Sequence, residues 1–423
     1  MKRLIIIFIL VFSNSLLFSK DYTLSDLLSI FEQNSTSEAK KINFNKIREY
    51  ELDNLSKEFY PKLNLIGQIQ YQSETFELPI HIPTFNLPQI PLDQYYSAIE
   101  LEQLVFDGFA ISKSKDISSE KAIINKFSAD VDKQKIRESI TTLFFNIISL
   151  NKQKAILINA IEDLNSKEKQ LNSMYENGVI LKSSINQLEV EILRRNEDLN
   201  KVDFDIEKIK KTLAILCGIE NSNLEVSQPT NLDEIVVTVE KRPEISLLKS
   251  NSNLLELNKS LINSNYLPKI SAFAKFGYAS PNPNNFMKTE FSTFYTVGIR
   301  MKWEIFDWNK NYYSKQIINQ NQEIIKLEQE NFSRNFNIAI NEEQNNILKY
   351  QKNIENEMKV KTLQENILKE AYSQLTNGII TMSEYISHYN NLERTNLTIE
   401  MYKIQRLQSI YNIYIKSNKS INQ

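Results

Sequence analysis

The chain has 423 residues, and its 50 Lys and Arg nearly balance 52 Asp and Glu, for a net charge of −2; this argues against a nucleic-acid partner, which calls for a strongly basic surface. A single cysteine, Cys217, excludes an intrachain disulfide, and two histidines, His81 and His388, are too few and too far apart for a zinc site. None of the seven glycines is followed by lysine, as a phosphate-cradling loop of the usual pattern requires, so neither a cofactor nor a catalytic centre is expected and the chain reads as a non-enzyme.

The chain opens Met-Lys-Arg, runs apolar from Leu4 to Phe12 and continues through small polar residues to Phe18-Ser19-Lys20. A basic start, a short apolar stretch and a small-residue cut describe a secretory signal peptide over 1–19. No later segment has an apolar run long enough for a spanning helix. Membrane entry after export would therefore require strands closed into a barrel, because lipid offers an open sheet edge no hydrogen-bond partner.

A first strand is expected over 61–72. Leu63, Leu65, Ile69 and Tyr71 alternate with Asn64, Gln68 and Gln70, and Ile66 is the one apolar residue on the polar face. Residues 73 to 92, with Pro79, Pro83, Pro88 and Pro91, read as an exposed loop. The next strand, 94–106, sets Ile99 and Leu101 against Glu100 and Glu102. Charges on one face of an apolar strand fit a face that lines a wet lumen.

No proline falls between Pro91 and Pro229 or after Pro283, so those two tracts can hold long helices. In the first, Ile136, Leu143, Leu150, Leu157, Leu164 and Leu171 recur every seventh residue, as in a coiled-coil seam. At about 1.5 Å per residue, a helix from near Gly108 to Tyr175 approaches ~100 Å. A turn over 175–184 reverses the chain, and the seam resumes through Leu188, Ile192, Leu199, Val202, Ile206 and Leu213, interrupted by Arg195. The two helices form an antiparallel hairpin.

After a linker over 219–240 the pattern returns. Tyr60-Pro61-Lys62-Leu63 becomes Leu267-Pro268-Lys269-Ile270, Val105-Phe106-Asp107 becomes Ile305-Phe306-Asp307, and Asn177-Gly178-Val179-Ile180 becomes Asn377-Gly378-Ile379-Ile380. The first repeat spans 20–218 and the second 241–417, followed by a short tail over 418–423. The second repeat has expected strands over 268–280 and 292–306 and a helical turn over 375–384. Its seam is less clean, because Glu343, Glu357, Lys361 and Gln364 interrupt it. Arg300 and Lys302 fall where the first repeat has Glu100 and Glu102, so opposite charges could pair across a lumen or set its field. Trp303, Trp308, Tyr295, Phe294 and Phe291 suit an aromatic belt at a membrane interface, with core packing the alternative for Trp308.

Each half thus reads helix, strand, strand, long helix, turn, long helix. Four strands cannot close a membrane barrel, whose smallest bacterial form has eight. Three copies would supply twelve. The expected fold is mainly α with a small membrane β part: duplicated helical hairpins forming an α-barrel, plus four strands per protomer in a trimeric β-barrel.

The signal peptide, the Tyr-Pro-Lys-Leu strand start, the Val-Phe-Asp-Gly strand exit, the Tyr-x-x-Gly turn, Lys-Arg-Pro-Glu-Ile at 241–245 and then the second copy together resemble the TolC-like outer membrane efflux proteins. The resemblance implies a homotrimer in outer-membrane lipid, with a barrel continued by a helical tunnel in the periplasm. It further implies an exit duct of a tripartite efflux pump or type I secretion system. The partners implied are a periplasmic adaptor and an inner-membrane transporter of the RND, ABC or a similar class. In that family the glycine turns receive the adaptor, which points to Asn177, Gly178, Val179 and Leu181 and to Asn377, Gly378 and Ile379. Relatives often constrict the tip with acidic residues after the second glycine; here Glu384 occupies such a position and Ser387 stands where a second acid can occur. Three Glu384 carboxylates would make a gate that favours cations, whereas a lone solvated glutamate is the bland alternative. The rival reading is a structural coiled-coil protein of the periplasm or surface, without channel activity.

Overall fold

The computed structural model describes residues 21–75, 89–220, 224–230, 232, 239–285 and 287–418. The expected signal peptide, most of the proline-rich loop with His81, and most of the C-terminal tail lie outside the described residues. Elements run in chain order as β1 (Asp21–Tyr22), α1 (Leu24–Asn34), α2 (Thr36–Lys57), β2 (Lys62–Tyr71), β3 (Asp93–Phe106), α3 (Ala110–Glu176) and α4 (Lys182–Cys217). They continue as β4 (Glu225–Val226), α5 (Pro243–Asn263), β5 (Lys269–Ser280), β6 (Ser292–Lys302), α6 (Lys310–Thr376) and α7 (Met382–Lys416).

The duplication is visible in the element bounds. Helices α3 and α6 are each 67 residues long and begin and end at equivalent positions of the two repeats. Neither contains proline or glycine, which lets both run unbroken. Among the described residues, no helix is long and apolar enough to cross a membrane.

The chain divides into two compact units that cut across the repeats: one of residues up to 36, 132–242 and 334–423, the other of 37–131 and 243–333. In the first unit, α1 buries Leu24, Leu27, Leu28 and Phe31, the single stripe that helical periodicity allows. Thr23 and Asp26 form a capping box at its start, with Thr23 Oγ1 accepting from the Asp26 amide at 3.1 Å. This stripe packs on Phe144, Phe145, Ile147 and Ile148 of α3, Leu213 and Cys217 of α4, and Tyr411 and Ile415 of α7. Tyr411 is fully buried, and its hydroxyl donates to the Thr230 carbonyl at 3.0 Å. Burial pushes the Cys217 thiol up to about 11.

The heptad residues continue this core down the helices. Leu157 packs with Val202 and Ile206. Further on, Leu164 and Leu171 meet Ile185, Leu188 and Ile192 together with Ala371, Leu375, Met382, Tyr385 and Tyr389. The less regular seam of α6 has a polar solution: Glu343 accepts from Asn412 Nδ2 of α7 at 2.9 Å.

In the second unit, the four longer strands form one antiparallel sheet in the order β2-β3-β5-β6. Register runs Lys62↔Glu102 through Tyr71↔Asp93, Tyr95↔Ser280 through Phe106↔Ile270, and Lys269↔Lys302 through Ala279↔Ser292, with an irregularity between Leu104 and Phe106. The central β3–β5 pairing joins the two repeats. Strands β2 and β6 are left as edges. The last strand ends at Lys302, short of Trp303.

Candidate functional site: a two-faced sheet and two helical tips

Strand alternation gives the sheet two unlike faces. One carries Leu63, Leu65, Ile69 and Tyr71 of β2, Ile99 and Leu101 of β3, Phe276 and Tyr278 of β5, and Tyr295, Val297, Ile299 and Met301 of β6, all exposed. Ile69 is 79% accessible and Ile299 76%. Large apolar side chains this open over four adjacent strands form a continuous patch that a soluble surface rarely tolerates. At the end bearing the strand-connecting loops, Phe291 lies 5.4 Å from Tyr278 and 5.5 Å from Tyr95. At the opposite end, Trp303 donates its indole N–H to the Tyr266 carbonyl at 3.1 Å, and Trp308 packs edge-on to Phe306 at 4.8 Å. Aromatic residues therefore flank the patch at both ends, the arrangement of interfacial girdles.

The other face is polar and carries the charges singled out in the sequence. Glu100 pairs with Lys275 at 3.0 Å, and Glu102 with Arg300 at 3.8 Å. Arg300 also lies over the Phe273 ring, 5.0 Å from its centroid. Lys302 has no acidic neighbour in register; its partner across the ladder is Lys269. The structure thus brings Glu102 and Arg300 together, adds Lys275 as the partner of Glu100, and sets Lys302 apart. Two glycines make room on this face. A Cβ on Gly298 would meet the Phe273 ring at 2.8 Å, and one on Gly277 would meet Phe294 at 2.7 Å as well as the Ser97 carbonyl oxygen. Each ring covers a gap where a side chain would otherwise stand.

The repeated Phe-Asp motif acquires a physical reason at the strand exits. Asp107 accepts from the Ile111 amide and Asp307 from the Asn311 amide, the latter at 2.9 Å, so each carboxylate caps the start of a 67-residue helix. Two left-handed residues follow each Asp: Gly108 and Phe109 (φ 72° and 68°), and Trp308 and Asn309 (φ 55° and 62°). A Cβ on Gly108 would come within 2.7 Å of the Ser264 carbonyl oxygen, which makes glycine obligatory there.

At the far ends of the long helices the tips close by the same device. Gly178 (φ 76°) donates to Tyr175 O at 2.9 Å and Val179 to Met174 O at 2.9 Å. Gly378 (φ 71°) donates to Leu375 O at 3.0 Å and Ile379 to Gln374 O at 2.8 Å. Both are helix stops of the Schellman type, with a left-handed glycine satisfying the last carbonyls. Asn177 and Asn377 each add a side-chain bond to the carbonyl four residues back, at 2.8 Å. Val179, Leu181 and Ile379 point into solvent.

The return helices begin differently. Thr381 and Glu384 form a capping box: Thr381 N–H donates to Glu384 Oε2 at 2.8 Å and Thr381 Oγ1 accepts from the Glu384 amide at 3.2 Å. The Thr381 backbone bond holds the Glu384 carboxyl below the usual carboxylate range. Its counterpart in the first hairpin starts at Leu181 with no side-chain cap.

About ten residues along α4 lies a site that the sequence marked only as an interruption of the seam. Arg195 is held by Glu191, with Nη2 2.9 Å and Nε 3.0 Å from Oε1, and donates through Nη2 to Asn390 Oδ1 of α7 at 2.6 Å. Glu191 is buried. Arg242, within Lys-Arg-Pro-Glu-Ile, is likewise buried and donates to Glu138 Oε1 and to the Lys416 carbonyl, each at 3.1 Å. A basic residue inside an apolar stripe, or directly before a helix-starting proline, was the available signal for both.

Compared with known proteins, the sequence matches no protein-family model and no curated protein. Among solved structures, the outer membrane protein VceC of Vibrio cholerae superposes with a TM-score of 0.70 at 13% identity, over 94% of this chain and 97% of that one. The channel-forming protein CusC gives 0.70 at 12%, over 94% and 92%. The Campylobacter jejuni CmeC outer membrane channel gives 0.67 at 13%, over 95% and 87%. The chain has the fold of these outer membrane channels over nearly its whole length.

Proposed function

We propose that the chain is the protomer of a trimeric outer-membrane channel, the passive exit duct of a tripartite efflux pump or type I secretion system. The observation that carries this reading is the four-stranded sheet with one continuous apolar face, aromatic residues at both ends and two open edges. Open edges are not viable in lipid. Pairing β2 of one copy with β6 of the next satisfies both, and three copies close a ring of twelve strands around the polar face. The long hairpins form the periplasmic tunnel, and their seams meet neighbouring hairpins as knobs into holes.

In this reading, Asn177, Gly178, Val179 and Leu181 with Asn377, Gly378 and Ile379 form the surface that receives a periplasmic adaptor, which couples the duct to an inner-membrane transporter. Each tip offers a rigid bend with a small apolar patch beside it. Glu384 of the three copies is the candidate gate, its carboxylate oriented by Thr381. Transport needs no chemistry from the duct; conduction follows opening of the tip.

The reading is tested by membrane fractionation, gel mobility and bilayer recording. The expected result is outer-membrane location, a trimer that dissociates only on heating in detergent, and discrete conductance steps. A monomer in the soluble periplasmic fraction would refute it.

A further inference from the structure

The polar face of the sheet carries its charge unevenly. Five cations, Lys62, Lys269, Lys275, Arg300 and Lys302, share that face with two carboxylates, Glu100 and Glu102. Three of the cations are engaged: Lys275 with Glu100 at 3.0 Å, Arg300 with Glu102 at 3.8 Å, and Lys62 with Glu58 at 2.6 Å. Lys269 and Lys302 remain, directly opposite each other in the β5–β6 ladder and both exposed. Neither has an ion-pair partner among the described residues, and Glu304, two residues past Lys302 and beyond the end of β6, pairs with neither.

Like charges opposite each other on an antiparallel ladder repel. Such a pair is stabilised when an anion sits between the two ammonium groups, each of which brings three donors. It also lies at the end of the strands next to the long helices, where the passage between tunnel and barrel would begin.

We propose that Lys269 and Lys302 form an anion-binding collar at the helix-side mouth of the barrel, selecting carboxylate- or phosphate-bearing solutes. The inference rests on the channel reading: three copies set six ammonium groups around one lumen. A lined, partly desolvated passage of one sign raises the local concentration of the opposite charge.

The test is planar-bilayer recording of the full-length trimer under a KCl gradient, with inorganic pyrophosphate added from the barrel side as the probe. A Glu384→Gln background removes any cation preference of the tip. In that background, chloride is expected to permeate in preference to potassium, and pyrophosphate is expected to block. The double variant Lys269→Gln/Lys302→Gln should lower the chloride-to-potassium permeability ratio by roughly threefold or more and relieve the block. Lys302→Arg should retain both properties, which separates loss of charge from loss of folding. Normal conductance with an unchanged permeability ratio and unchanged block in the double variant overturns the collar and leaves the channel reading standing. A trimer that conducts nothing in any form refutes the channel reading and the collar with it.

Discussion

Arg195 offers the sharpest test of how the two hairpins are joined. Its guanidinium makes two hydrogen bonds and one further ion-pair contact, and the side chain of Glu191 beneath it is 10% exposed. Replacing Arg195 by Met leaves the Glu191 carboxylate buried without its partner, a loss of about 3–5 kcal/mol for a fully buried pair. Arg195 is 20% exposed, so the expected value lies near the lower end, about 3 kcal/mol. Replacing both residues by Met removes both charges and fills the same volume, and the cost falls to about 1 kcal/mol, mostly the lost partner of Asn390. The double variant is then about 2 kcal/mol more stable than Arg195→Met alone. At roughly 2–4 °C per kcal/mol for a unit of 150–250 residues, Arg195→Met lowers the melting point by about 6–12 °C and the double variant by no more than about 4 °C. Circular dichroism at the helical band, on detergent-solubilised protein, measures both. A double variant as unstable as Arg195→Met would show that the loss does not come from the stranded Glu191 carboxylate and would refute the reasoning.

Other consequences are equally concrete. Gly378→Val places a branched side chain at φ 71° in otherwise open space, so the cost is backbone strain alone, about 1–2 kcal/mol; the thermal midpoint should fall without loss of the proposed trimer. Gly277→Ala meets Phe294 and the Ser97 carbonyl with no room to yield, and the trimer band that the proposed channel should give on gels is expected to be weak or absent. Thr381→Ala removes the cap of α7, and hydrogen exchange of the Glu384 amide should quicken by about five- to tenfold. Because the Glu384 carboxyl is held below its ordinary value, its cap is fully present above about pH 4.3 and is lost as the pH falls through the folded value; the same amide should exchange faster in acid, relative to its intrinsic rate. Cys217, buried with its thiol raised to about 11, should resist maleimide at neutral pH until the protein unfolds; rapid labelling of the folded chain would refute its burial beneath α1.

The long helices were legible because their signal is redundant. A seven-residue spacing repeated over Ile136 to Leu171, with no proline or glycine to contradict it, leaves one conformation. The strands were legible for a similar reason, since one apolar face and one polar face force a strict alternation through Ile299, Arg300, Met301 and Lys302. The tips showed themselves through paired glycines. Arg195 and Arg242 were less legible, because a buried arginine has meaning only through what it touches, and Glu191, Asn390, Glu138 and the Lys416 carbonyl come from distant turns or other helices. Glu384 carried a candidate gating role by position, and the structure adds a local one as half of a capping box.

The repeat, the period of seven and the period of two determine the elements of this protein, because each is a local pattern that one backbone geometry satisfies. Tertiary structure alone decides the register that sets Lys269 against Lys302 and Glu100 beside Lys275, and the central pairing of β3 with β5 that joins the two repeats. Periodicity says which face a residue occupies. Which residue stands opposite depends on how strands far apart in the chain align, and that is settled by turns, bulges and packing over the whole sheet.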